Sequence, residues 1–397
     1  MIPRTIVGAI NRLITKFPVI SVTGPRQSGK TTILKSAFSD YTYVSLENPD
    51  ILQFAVFDPR GFLAQYPKRC IFDEVQRAPT LFSFLQQVVD DENEPGMFIL
   101  SGSQNFLLVQ GITQSLAGRV AVLKLLPFGR EELAGSGSAP ASINEALFWG
   151  AYPRLFDKKI VPVDYYTNYL MTYVERDVRQ MKNISDLATF RRFLGLCAGR
   201  CGSLLNLVAL GNDCGITHNT ARAWLSVLEA SYIVFLLQPY HRNFSKRLTK
   251  TPKLYFFDTG IVCSLLGIRS SGELSNHAMQ GQLFENYVIS EFMKAAFHRG
   301  RSPDLFFWRD KTGHEIDCII AGGEHEIPVE IKSAQTVCDD FFRNIRYFNK
   351  LRRERGGSVI YGGEEMQRRT EATVFGWKNF MEAYRAFGTE KQADLLI

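Results

Sequence analysis

The chain has 397 residues, enough for two or three domains at ~150 residues each. Its 45% apolar, 12% aromatic and 22% charged residues exclude a disordered chain, which could not carry so much apolar side chain. The net charge of +6 rests on 46 basic and 40 acidic residues, and seven cysteines are too few and odd in number for a disulfide framework.

The most apolar run, Ile233 to Leu237, falls far short of the ~20 residues of a membrane-spanning helix. At the N-terminus Ile6, Ile10, Leu13 and Ile14 follow helical spacing and not the apolar core of a signal peptide. No membrane contact and a cytoplasmic location are therefore expected. Cys197 and Cys201 sit in an apolar stretch without zinc-type spacing, so reduced thiols are expected.

The charge is uneven. Residues 1–135 hold 13 basic and 12 acidic side chains, residues 136–275 hold 16 and 10, and residues 276–397 hold 17 and 18. The excess sits in the middle. Gly135-Ser136-Gly137-Ser138-Ala139-Pro140 reads as a linker, and Ser270-Ser271-Gly272 as a second, weaker boundary. The expected division is 1–135, a helical connector 136–200, then 201–270 and 271–397.

The first part alternates β-like runs with helical stretches. The runs are Pro18–Val22, Tyr41–Leu46, Arg69–Phe72, Met97–Leu100 and Val120–Leu126, and they predict an α/β fold with helices on both faces of a parallel sheet. After the first run comes Gly24-Pro25-Arg26-Gln27-Ser28-Gly29-Lys30-Thr31-Thr32, which fits G-x-x-x-x-G-K-[ST] at every position and opens a helical stretch. The two glycines let the backbone wrap a phosphate. Lys30 is placed to reach the β- and γ-phosphates of ATP, and Thr31 to ligate Mg²⁺.

The run Cys70-Ile71-Phe72 ends in Asp73 and Glu74. Asp73 is expected near the Mg²⁺, and Glu74 is suited to activate a water. The fourth run ends Ser101-Gly102-Ser103-Gln104. In a sheet of order 5-1-4-3-2 it lies between the loop and the acids. There Ser103 or Gln104 positions the water or senses the γ-phosphate, or Ser101 or Ser103 caps a helix. Arg119 is a candidate phosphate contact, in its own subunit or a neighbour, or a surface arginine paired with an acid.

In the middle, Leu204–Leu210 and Asn219–Ala230 read as two helices around a glycine turn, with Thr217 as N-cap, the spacing of a helix-turn-helix. Residues 233–257 then predict a β-ribbon. It carries Arg242, Lys246, Arg247, Lys250 and Lys253 and no acid. As the wing of a winged helix it would track the phosphates of double-stranded DNA, with Arg222, His218, Asn219 and Trp224 on the preceding helix. Winged helices also serve as docking modules, so a protein partner or self-association is the alternative. Upstream, Glu175-Arg176-Asp177 suggests a helix laced with ion pairs.

The last part reads helix, three strands, helix, strand: Gly281–Phe297, Asp304–Trp308, Glu315–Ile320, Glu326–Ile331, Val337–Arg353 and Ser358–Tyr361. This is the element order of the restriction-endonuclease-like core. Glu285 falls on its first helix, Asp317 on its second strand, and Glu330 and Lys332 share one face of its third. Acids gathered there would hold Mg²⁺, with Lys332 polarising a water. The fold alone does not imply cleavage.

The motifs Gly-Pro-Arg-Gln-Ser-Gly-Lys-Thr-Thr, Asp-Glu-Val-Gln-Arg-Ala-Pro, Leu-Ser-Gly-Ser-Gln and Ser-Leu-Ala-Gly-Arg-Val together resemble one family. It comprises bacterial and archaeal predicted ATPases of the AAA superfamily with an uncharacterised C-terminal region. The resemblance implies an ATPase core in which Gly29, Lys30 and Thr31 bind nucleotide and Asp73 and Glu74 handle Mg²⁺ and water. It also implies a restriction-endonuclease-like domain at the C-terminus.

Overall fold

The computed structural model of the chain describes residues 1–103, 115–174, 186–240, 250–322 and 325–385. Its first sheet has five strands, β1 (Val19–Thr23), β2 (Thr42–Ser45), β3 (Cys70–Asp73), β4 (Phe98–Gly102) and β5 (Val120–Lys124). All pair in parallel, in the order β2-β3-β4-β1-β5, which is the expected 5-1-4-3-2. Parallel strands need helical crossovers, and the helices bury both faces of the sheet. Val19, Phe72, Phe98 and Leu100 meet Leu85 and Val89 of the helix Leu81–Glu92. On the other face Ile20, Val22, Ile71, Ile99 and Leu123 meet Ile6 and Ile10 of the helix Ile6–Ile14 and Ile33 and Leu34 behind the glycine-rich loop.

The middle of the chain is helical up to residue 230. The helices Leu207–Cys214 and His218–Ala230 flank a turn at Gly215 (φ +71°), and the Thr217 hydroxyl caps the second by accepting from Thr220 N at 3.1 Å. The helix-turn-helix spacing is thus present. Trp224, however, does not face outward. It is 6% exposed and packs edge-on against Phe190 and Phe193, with ring centres 5.3 and 5.5 Å away. An indole in that cage is core and cannot read bases. Arg222 is exposed.

The expected ribbon also forms. β6 (Val234–Pro239) pairs antiparallel with β7 (Lys253–Phe256). It is no free-standing wing, because Gln238 and Pro239 pair in parallel with Phe306 and Phe307 of β8 (Leu305–Arg309). The ribbon therefore edges an eight-stranded sheet that continues through β9 (Glu315–Gly322), β10 (His325–Lys332) and β11 (Ser358–Tyr361) to a terminal pair, β12 (Gln367–Arg368) and β13 (Thr373–Gly376). Strands from both sides of residue 270 share this sheet, and one apolar core runs from Leu126 to Ala383. The boundary at Ser270-Ser271-Gly272 does not separate two packed units. Arg242, Lys246 and Arg247, like Gln104 and Glu175-Arg176-Asp177, lie outside the described residues.

The long helix Gln280–His298 crosses behind the sheet. All seven cysteines are free thiols, six of them buried, as the sequence suggests. Among the described residues no helix is long and apolar enough to cross a membrane.

β7 is the sheet's edge strand, and its outer backbone needs partners. The backbone of Gly202 and Ser203 bonds Leu254, and Asn286 of the long helix takes Phe256. The Asn286 amide accepts from Phe256 N at 2.7 Å, donates to Phe256 O at 3.0 Å, and takes the Cys201 thiol at 3.0 Å. Asn286→Ala should strand two buried backbone groups and cost ~2–4 kcal/mol in urea unfolding. Asn286→Asp, which keeps the acceptor, should lose less. Equal midpoints for the native chain and both variants would refute this role.

Candidate active site

Gly24 follows β1 with φ +156°, and a Cβ there would stand 2.0 Å from the Leu125 carbonyl oxygen. Gly29 caps the helix Lys30–Ala37 in the left-handed region at φ +91°. Only glycine takes both positions without strain, so the loop closes as the motif demands. Lys30 is buried at the helix start, and its ammonium donates to the carbonyls of Gly24 (2.9 Å) and Pro25 (2.8 Å). Ser28 is fully buried, and its hydroxyl has no hydrogen-bond partner among the described residues. An orphaned hydroxyl beside a folded-back lysine is a cradle with anion-binding capacity in reserve.

Asp73 at the end of β3 is the hub of the acidic side. Its carboxylate accepts from the hydroxyls of Thr31 (2.8 Å), Tyr43 (2.6 Å) and Ser101. Burial and the neighbouring carboxylate push the Tyr43 phenol upward, so it stays a donor. Thr31 and Asp73 thus meet as a hydroxyl and a carboxylate, the hard-oxygen pair that suits Mg²⁺. Glu74 sits in the left-handed region (φ +55°) at the strand's end. Its Oε2 accepts from Gln76 and, at 3.1 Å, from Ser103. Ser101 and Ser103 therefore hold the two acids. The strand order puts them there, because β4 lies between β3 and β1.

Arg4 is a site residue that motif reading misses, because nothing in residues 1–10 marks it. It is buried, donates to Ser28 O (2.8 Å), Leu126 O (2.6 Å) and Glu132 (3.1 Å), and stacks its guanidinium 4.7 Å from the Phe128 ring centre. Beside it lies a cavity of about 740 Å³ walled by Ile2, Gly29, Thr32, Phe128, Arg154 and Phe156. Apolar walls next to a phosphate loop suit a nucleoside. Arg119 stands elsewhere. It precedes β5 and its carbonyl bonds the first residue of β1, so it occupies the end of the sheet opposite the loop. There it forks onto Asp90, with one contact at 2.9 Å, and is the surface arginine paired with an acid. It does not reach the nucleotide loop of its own chain.

The C-terminal residues converge too, with an addition. Lys332 on β10 pairs with Asp317 (3.2 Å) and Glu330 (2.7 Å), and Asp317 also accepts from Ile331 N at 2.8 Å. Lys253 is the surprise. Expected as an outward wing cation, it is 3% exposed and turned into the protein, paired with Glu285 at 3.0 Å and with Glu315. Its partner in β6 is Leu237, and the ribbon's inner face meets the sheet's acids. Burial and the Asp317 charge push Glu330 up to about 8. Burial also opposes the charge on Lys253, but Glu285, Glu315 and Asp317 outweigh it and keep the ammonium charged. Among the described residues no three His, Cys, Asp or Glu side chains converge as a metal site. The carboxylates expected to hold Mg²⁺ are already committed to two lysines, so the set does not fit a divalent ion. Of the remaining basic candidates, Lys250 is exposed at the ribbon's end.

Residues 16–134 match the AAA domain family. Residues 140–272 and 280–380 match two domains of unknown function, DUF8612 and DUF4143. The chain is 29% identical over 339 residues to the uncharacterized proteins Rv2008c of Mycobacterium tuberculosis and Mb2031c of Mycobacterium bovis, across 84% of this chain and 74% of theirs. Among solved structures it is similar to the Walker-type ATPase PABY2304 of Pyrococcus abyssi, at 12% identity and TM-score 0.45 over 66% of this chain and 94% of that one. It is also similar to AMPPCP-bound DnaA from Aquifex aeolicus, at 15% identity and TM-score 0.29 over 56% and 85%. The first part carries an AAA domain with an ATPase-like core.

Behind Arg4 the network continues to the long helix. Glu132 accepts from Arg4, and its Oε1 lies 3.5 Å from His298 Nδ1. His298 Nε2 accepts from Leu126 N at 3.2 Å, so the ring's single proton belongs on Nδ1, toward Glu132. Burial drives the His298 pKa down to about 3. The unfolded ring takes a proton near pH 6.5 and the folded ring does not. The stability it contributes is therefore complete above about 6.5 and is lost as pH falls toward 3. His298→Gln should flatten the native chain's stability curve between pH 6.5 and 4 by up to ~1.4 kcal/mol per pH unit. Parallel curves for the two chains would exclude a neutral buried imidazole.

Proposed function

We propose that the chain is a Mg²⁺-dependent ATPase that couples its nucleotide state to nucleic-acid binding by its C-terminal part. The observation that carries the ATPase half is the Thr31–Asp73 hydrogen bond, with Glu74 beside it and Lys30 folded on the loop. Loop N–H groups and Lys30 bind the β- and γ-phosphates, and the Ser28 hydroxyl gains a partner. Thr31 and Asp73 would hold Mg²⁺, which neutralises charge between those phosphates when bound. Among the described residues, Oε1 of Glu74 makes no hydrogen bond while Oε2 is held by Gln76 and Ser103. Glu74 takes a proton from a water as the water's oxygen bonds the γ-phosphorus. The bond to the bridging oxygen breaks, and ADP and phosphate leave. The cavity beside Arg4 and Phe128 takes the nucleoside.

Two contacts support coupling. Arg4 ties the loop's Ser28 carbonyl to Glu132, and so to His298 on the long helix. Thr23, the last residue before the loop, shares a 2.6 Å hydrogen bond with Tyr232, which leads into β6 in the left-handed conformation (φ +57°). Nucleic-acid binding is supported by the basic excess of residues 136–275, with Arg222 and Lys250 exposed and Arg242, Lys246 and Arg247 between the ribbon strands. A second reading is a nucleotide-controlled docking ATPase without nuclease activity, with a protein partner or self-association in place of DNA. The inward turn of Lys253 favours it, because it removes one cation from the presumed wing. In that reading Arg119 and Asp90 offer a surface for a neighbouring copy.

Lys30→Ala should lower nucleotide affinity by on the order of 100-fold or more. Glu74→Gln should bind ATP normally and slow its turnover by roughly 10²–10⁴-fold. Native turnover in both variants would refute the ATPase. Neutralising Lys246, Arg247 and Lys250 together should weaken binding to every duplex alike and reduce the log-affinity against log-salt slope by about three. Unchanged DNA affinity, with an ATP-dependent change in assembly mass, would select the docking reading.

A further inference from the structure

The second pocket has the charge arrangement of a cation site whose cation belongs to the chain. Four carboxylates line it: Glu285 from the long helix, Glu315 and Asp317 from β9 and Glu330 from β10. The ammonium of Lys253 enters from β7 and pairs with Glu285 and Glu315, and Asp317 lies close enough to act on its charge. Lys332 closes the other side between Asp317 and Glu330. Tyr255, two residues after Lys253 on the same face of β7, donates its hydroxyl to Glu285. Each carboxylate thus has an internal partner. Among the described residues one oxygen, Oε1 of Glu330, is buried without a hydrogen-bond partner, in a residue 1% exposed. Glu285, Glu315 and Asp317 would lose a nearby cation if Lys253 were neutral.

We infer that Lys253 is the built-in cation of this carboxylate cluster, paired with Glu285 and Glu315 in the place of a divalent ion. The native chain then uses the pocket without metal. A fixed ammonium repels an arriving divalent ion and holds the carboxylates in ion pairs that the ion would have to break. The position is structural in origin. β7 is held by β6 on one side and by the backbone of residues 202–205 on the other, and its inward residues, Lys253 and Tyr255, meet the acids of the neighbouring strand and helix. The C-terminal part consequently presents an ion-paired, metal-independent cluster, and the native chain does not cut phosphodiesters through it. This inference is independent of the phosphate loop, since no residue is shared between the two sites.

The test is Mn²⁺ binding to the full-length, nucleotide-free chain, read as loss of the free-ion signal in electron paramagnetic resonance. The native chain should show no binding that Asp317→Asn removes, up to about 0.1 mM Mn²⁺. Lys253→Met should gain one Mn²⁺ per chain, at least tenfold tighter than any native binding, and Asp317→Asn in that background should abolish the gain. Lys253→Arg, which keeps the cation, should behave as native. The far-UV circular dichroism spectrum and urea midpoint of each variant report that the chain is folded, and Lys253→Gln replaces Lys253→Met where the latter fails that check. Two results would overturn the inference: a native Mn²⁺ site lost on Asp317→Asn, or a folded neutral variant at position 253 that gains no ion.

Discussion

Arg4 fixes the phosphate loop to the segment that follows β5. It is buried, yet its guanidinium reaches a loop carbonyl, the carbonyl of Leu126 after β5, and the carboxylate of Glu132. A guanidinium offers donors in a planar fork, so one side chain can fix three backbone segments at set angles. Glu132 answers with acceptors for Arg4, Thr5 N (2.7 Å) and Gly129 N (2.9 Å). Removing either partner would leave a buried, uncompensated charge, so the pair is a strong constraint on geometry even where its net stabilisation is small. The phosphate loop is thus held from behind by the segment that leads out of the ATPase core.

The acids on the loop's other side are held by a different device. Asp73 takes three hydroxyls, so both of its oxygens are oriented by hydrogen-bond dipoles. The C-terminal acids are arranged in the opposite way, each met by a lysine. The same residue type, gathered at the ends of strands in both halves, is left open to an incoming cation in one and internally neutralised in the other.

The phosphate loop was legible because its chemistry is local. Glycines at Gly24 and Gly29, a lysine and a threonine sit at fixed spacing, and strand-loop-helix context places them without distant information. The sheet order was legible too, since five alternating runs with a loop after the first leave few topologies. What the sequence hid is sidedness and long-range partnership. Lys253 counts as a cation in composition, but whether it faces water depends on which sheet its strand joins. Trp224 has the spacing of a recognition helix, but Phe190 and Phe193 claim it. Arg119 lies near a strand in sequence but at the wrong end of it. Arg4 meets Glu132 across 128 residues, and no local pattern announces such a pair.

The two anchors of the loop also lead to particular members of the C-terminal acid–lysine cluster. His298 ends the helix that carries Glu285, thirteen residues or about 20 Å earlier along its axis. Tyr232 leads into β6, whose partner β7 carries Lys253. The acid and the cation that neutralise each other in that pocket therefore ride on the two elements bonded to the ATPase core. A helix transmits an axial shift along its length, and a strand transmits it through its ladder. A change at the loop that moved one anchor relative to the other would strain the Lys253–Glu285 pair and the Asn286–Phe256 hydrogen bonds, because that is where the helix and β7 meet.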